Sequence, residues 1–205
     1  MAGLDDLMAG STERWSRAGR YARWFADNGI GEALRVYYTR YFPAGIILYA
    51  AVLALVGVLV SGGGPVEWLL VIQLGISIGG LLGIIAGLIY NTKRLKPRVE
   101  VGKNLSITFP LERDEQKYVK RVINGKEPAP EDPVRLTVAR AFAVQTRKNT
   151  ATFLLIAPLY ICLVADGLTG MPIFWIIVAA VFAVGITLMV KEFRRAGRFL
   201  TITAP

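Results

Sequence analysis

The sequence predicts an all-α integral membrane protein. Four transmembrane helices form two parallel-repeat hairpins, accompanied by amphipathic cytoplasmic helices and a small strand-like cytoplasmic element. Three observations predict this. The 205-residue chain is 54% hydrophobic, with a mean hydropathy of +0.46, a balance that suits lipid better than water. Four apolar runs, at 43–60, 66–90, 150–165 and 172–190, contain no charged residue except Glu67. All 24 Lys and Arg lie outside those runs: 6 before the first, 14 in 91–149 and 4 from Lys191 onward. Cytoplasmic segments collect Lys and Arg. The N-terminus, the central loop and the C-terminus are therefore expected in the cytoplasm, with a bacterial inner (plasma) membrane as the simplest location.

Residues 1–31 read as an interfacial amphipathic helix. Ser11-Thr12-Glu13 offers capping residues, and Trp15, Ala18, Ala22 and Phe25 recur at helical spacing among Arg14, Arg17, Arg20 and Arg23. Aromatic and basic residues in that pattern suit a membrane surface with anionic headgroups. The same face also suits packing against the rest of the protein or a partner. No continuous apolar stretch in the first 42 residues reads as a cleavable signal peptide. A break at Asp27-Asn28-Gly29-Ile30-Gly31 precedes a second lead-in helix, and the first span follows at 43–60.

The second span, 66–90, opens on Pro65 and Trp68, a helix-start proline followed by a ring at headgroup depth. Gly75, Gly79, Gly83 and Gly87 recur every four residues. Each glycine lowers helix propensity by about 1 kcal/mol relative to alanine. Four on one stripe therefore predict a helix-packing interface, with the small residues Ala50, Ala54 and Gly57 of the first span as one partner and a companion protein as another. Gln73 and Ser77 are the polar residues deep in this span. They read as interhelical hydrogen-bonding groups, or alternatively as a polar path.

Residues 99–109 alternate in polarity and read as strand-like. Residues 111–123 read as a short helix with Glu112, Asp114 and Glu115 near its start and Lys120 and Arg121 near its end, an order that matches the helix dipole. Asn124-Gly125 stops it, and a Pro-rich connector runs to 132. Asp132-Pro133 starts a helix that runs through Arg147 into the third span, 150–165, where Pro158 predicts a kink. That span is short, and Arg147 and Lys148 can snorkel at its mouth. The fourth span, 172–190, opens on Pro172 and Trp175, and residues 199–203 read as a second strand-like piece.

The halves 32–110 and 133–205 look duplicated. At an offset of 107, Thr39-Arg40, Pro65 and Trp68 fall on Thr146-Arg147, Pro172 and Trp175, with nine identities over residues 39–71. Leu105-Ser106-Ile107-Thr108 echoes Leu200-Thr201-Ile202-Thr203. If both pieces are strands, Ser106 and Thr201 pair beneath the membrane.

Several function classes fall away. With no histidine, imidazole catalysis and His-ligated metals are excluded, and the one cysteine, Cys162, excludes intrachain disulfides and Cys-clustered metals. No phosphate-loop, dinucleotide or nucleophile-elbow motif is present. No charged residue lies deep in a span, whereas ion-coupled transporters usually carry one. The expectation is a non-enzyme without catalytic residues, cofactor or metal site, and with no nucleic-acid partner. It reads as an accessory or structural subunit of a larger membrane protein complex, in contact with anionic lipid and with other membrane subunits. The alternatives are a small oligomeric channel or transporter with Gln73 and Ser77 along its path, and an anionic-lipid-binding membrane organiser using Arg14, Trp15, Arg17, Arg20, Arg23, Trp68 and Trp175.

Overall fold

Apolar runs without interrupting charge favour helices, since a helix satisfies its backbone hydrogen bonds internally. Such helices dominate the structure, a computed structural model describing residues 2–23, 25–61, 68–96, 107–158 and 172–204. The α-helices are α1 (Ala2–Ala22), α2 (Ile30–Val36), α3 (Phe42–Val60), α4 (Trp68–Tyr90), α5 (Arg113–Ile123), α6 (Pro133–Ile156) and α7 (Pro172–Ile202). One wider π-helical turn joins α2 to α3 at Tyr37–Tyr41, and another follows α4 at Asn91–Leu95. Among the described residues there is no strand.

Three stretches are long and apolar enough to cross a membrane: Ile30–Val60, Leu74–Leu95 and Ile173–Ile202. Their surfaces agree with that role. Ile47, Leu55, Val60, Ile78, Leu81, Ile173, Ile177 and Val181 are all largely exposed, an arrangement that water would penalise and hydrocarbon does not. The chain is thus a membrane protein by the length and composition of its helices. The expected third span, 150–165, lies partly outside the described residues. Its beginning is the end of α6, which runs unbroken from Pro133 past Arg147, as the sequence predicts.

The chain divides into two compact units. One comprises Gly31–Leu95 with Ala151–Met189, the other Met1–Ile30 with Lys96–Thr150 and Val190–Pro205. The first contains the apolar helices. The second has its own core, built on Trp15, Ala18 and Ala22 of α1, Val119 and Val122 of α5, Val138, Ala139 and Ala141 of α6, and Ala196 and Phe199 of α7.

The strand-like expectation is corrected. Residues 199–202 close α7, and residues 107–110 form a turn; residues 99–106 lie outside the described residues. The alternation of Leu200, Ile202 and their neighbours is too short to override a helix already running. That helix places Ala196 and Phe199 into the core. Its threonines bond back along it, Thr201 Oγ1 to the Gly197 carbonyl at 3.0 Å and Thr203 Oγ1 to the Phe199 carbonyl at 2.7 Å. Thr201 is helical, and Ser106, its expected strand partner, lies outside the described residues.

Ser11 is corrected as well. The first helix begins at Ala2, so Ser11 lies inside it and caps nothing. Its hydroxyl donates instead to Glu115 Oε1 at 2.8 Å. The break that ends this region is as expected. Gly29 adopts φ 92°, and the Asp27 carboxylate accepts from the Gly29 and Ile30 amides at 3.1 and 2.8 Å, starting α2.

Candidate functional site

The glycine stripe of α4 packs within its own unit. An added Cβ at Gly75 would meet Leu53 Cδ2 at 2.2 Å, and one at Gly79 would meet Tyr49 Cε1 at 2.9 Å. At these two glycines the first span presents the large side chains of Leu53 and Tyr49, and the glycines are notches that receive them. The Tyr49 hydroxyl also donates to the Gly75 carbonyl at 2.8 Å. At Gly87 the neighbour is backbone, the Leu155 carbonyl oxygen, 2.4 Å from the Cβ position, while at Gly83 the Pro158 Cβ lies at 3.6 Å.

Tyrosines make further links in this unit, a role the sequence reading missed. Proline 158 has no N–H to donate to the carbonyl four residues earlier, that of Leu154. The Tyr38 hydroxyl donates to that carbonyl instead, as does the Ala157 amide at 3.1 Å. The Tyr90 hydroxyl donates to the Ala33 carbonyl at 2.7 Å. Tyr37, Tyr38, Tyr41, Phe42 and Tyr90 form a ring cluster with centroid separations of 5.0–6.1 Å. The run Tyr37-Tyr38-x-x-Tyr41-Phe42 was a visible signal, but only the fold supplies its acceptors.

The polar-path pair is only partly visible. Gln73 belongs to α4, but its side chain lies outside the described residues, and Ser77 is half-buried one turn on. Trp68 is exposed at the first turn of α4. Trp175 is half-buried with its ring edge-on to Phe174 at 5.6 Å.

The N-terminal residues proposed for lipid are dispersed. Trp15 is 5% exposed, edge-on to Tyr118 at 6.4 Å and covered by the Arg135 guanidinium at 5.2 Å. Its ring thus faces the chain's own helices, not a headgroup. Arg14 binds Glu112 at 3.1 Å and Glu115 at 3.2 Å. Glu115 closes a capping box at α5 by accepting from the Glu112 amide at 2.9 Å. Burial pushes the Glu115 carboxyl up, but the Glu112 amide, the Arg14 guanidinium and the Ser11 hydroxyl outweigh it and hold the group below its usual range. Arg17 is exposed and pairs with Glu13 at 2.5 Å.

Arg20 on α1 and Arg23 in the turn just past its end are exposed, and both line concave surface. A cleft of about 520 Å³ within the charged unit is walled by α1, α6 and the end of α7, with Arg23, Arg140, Arg147 and Asp27 supplying its charges. A neighbouring hollow of about 470 Å³ adds Arg20 and shares Arg23 and Thr137. Arg147 and Asp27 form an ion pair, their side chains 14% and 12% exposed. The Arg147 guanidinium lies over the Phe193 ring at 4.7 Å, and the absent side chain of Gly197 leaves room for it. Sequence reading placed Arg147 only as a snorkelling residue. Its true partner is 120 positions away and carries no local signal.

Among the described residues, no group of three Asp, Glu or Cys converges as a metal-ligand set. Comparison with protein-family models, curated proteins and solved structures gives no match for this chain.

Proposed function

We propose that this chain is a non-catalytic accessory or structural subunit of a membrane protein assembly. In this reading its spans anchor it, and its charged helical unit docks on another subunit. One observation carries the reading: the charged segments are not linkers but fold together around a shared core. A channel needs its spans; a separately cored charged unit suits docking.

The same observation supports four spans. Segments that share a core lie on one side of the membrane. Between 30 and 96 the chain goes out through α3 and back through α4. With α7 as one crossing, this reading assigns a return crossing to the apolar run before it. That is the apolar run read as the third span, and it completes the two hairpins of the proposed duplication. The excess of Lys and Arg in the co-folded segments supports a cytoplasmic side for them and for both termini. A bacterial inner membrane fits this orientation.

The test is gentle detergent extraction at native expression, followed by size analysis and mass spectrometry. A companion protein recovered at fixed stoichiometry supports the reading. A chain recovered alone, or only as a homo-oligomer, overturns it.

A further inference from the structure

The cleft of the charged unit is chemically one-sided. Arg23, Arg140 and Arg147 bring three positive charges into it, against one negative charge on Asp27. Asp27 is already engaged by Arg147 and by the Gly29 and Ile30 amides. Arg23 and Arg140 make no ion pair or hydrogen bond among the described residues. The Nε of Arg147 is buried and meets no acceptor, although buried donors in folded proteins are nearly always satisfied. Arg140 and Arg147 stand two turns apart on one face of α6, and the Asp27 contact and the Phe193 ring fix the second of them. The site therefore has one anchored guanidinium and two positive charges with no partner among the described residues.

We propose that this cleft binds a phosphate-type oxyanion. A phosphate carries the charge that Arg23 and Arg140 leave uncompensated, and its oxygens match guanidinium forks. The cleft volume of about 520 Å³ exceeds that of a bare phosphate and falls in the range of small-molecule sites. The ligand is thus a phosphate ester, its neutral body lying against Phe25 and Leu200 on the cleft wall. That chemistry is shared by a phospholipid headgroup and by a soluble phosphate monoester. The inference does not depend on the chain having a companion protein.

The experiment uses the full chain in neutral detergent. Phosphorus NMR follows titration with glycerol 3-phosphate, and native mass spectrometry measures retention of phosphatidylglycerol against phosphatidylcholine. Saturable binding of one ligand per chain is expected, weakened about tenfold or more by Arg140→Gln and by Arg23→Gln, since each removes charge-assisted hydrogen bonds. Arg113→Gln, on the exposed start of α5, removes the same charge away from the cleft and should leave binding within about twofold of wild type. Because Arg23 is exposed and unpaired among the described residues, its substitution keeps the test readable if Arg140→Gln folds poorly. Retention of phosphatidylglycerol alone assigns the site to a headgroup; binding of glycerol 3-phosphate alone assigns it to a soluble ester. Either result supports the site. Equal loss in Arg113→Gln, or no saturable binding of either probe by wild type, overturns it.

Discussion

At Gly87 a methyl group would lie 2.4 Å from the Leu155 carbonyl oxygen, whereas at Gly83 its nearest neighbour is 3.6 Å away. The first position has backbone against it and no side chain that can swing aside. Gly87→Ala is expected to destabilise the chain by about 1–3 kcal/mol, while Gly83→Ala stays within about 1 kcal/mol of wild type. Thermal melting of both variants in detergent separates the two, and equal melting would sink the packing argument. The ion pair of Asp27 and Arg147 gives a second residue-scale prediction. Asp27→Ala leaves a mostly buried guanidinium unpaired and removes the acceptor for two amides, at an expected cost of about 3–5 kcal/mol. Asp27→Asn retains an acceptor for those amides and should cost less, as denaturant titration can show. What was legible at this scale was the spacing of the glycines. Their partners were not, because Tyr49, Leu53 and Leu155 are identified only when distant stretches meet. The same holds for Tyr38, which answers a vacancy created by a proline 120 residues later.

Among the elements, α5 was the most legible. Its acidic first turn, basic last turn and terminal Asn124-Gly125 place it closely, and Gly125 takes the left-handed conformation (φ 71°) that suits glycine at a helix end. Its attachment to α1 through Glu115 carries a pH prediction. The folded-state value of Glu115 is depressed, so its contribution is present above the unfolded value of about 4.3 and is lost as pH falls through the folded one. The difference in melting temperature between wild type and Glu115→Gln should be largest near neutrality and shrink on acidification. A difference that stays constant with pH would mean that Glu115 acts by shape alone. The helix it holds, α1, was legible as amphipathic but not as buried. A stripe of Trp15, Ala18 and Ala22 has the same periodicity whether it meets lipid or protein. The strand-like reading of 199–203 failed for a related reason. Five residues do not distinguish a period of two from a period of 3.6 when the preceding helix has not ended.

For the whole molecule, the placement of charge was the clearest message of the sequence. The segments rich in Lys and Arg are the ones that share a core, although nothing local to any of them announces the others. Topology follows as a prediction. In a Cys162→Ser background, single cysteines replacing Arg17, Lys126 and Ala204 should react with an impermeant reagent from one side of the membrane. Cysteines replacing Gly63 and Gly167 should react from the opposite side. Labelling of Arg17→Cys and Ala204→Cys from opposite sides would mean three crossings and would break the hairpin arrangement. The shared core also sets an order of events during synthesis. The apolar face of α1 is complete once Ala22 has emerged, yet its partner α5 ends at Ile123, about 100 residues later, an interval of roughly 5–20 s at ordinary translation rates. The last piece of α7 ends about 80 residues later still. Throughout that wait α1 is an arginine-bearing helix with an uncovered Trp15, beside a bilayer into which its own successors are being inserted. Until then Trp15, Ala18 and Ala22 lack the partners of their core, so the finished packing of α1 waits on α5.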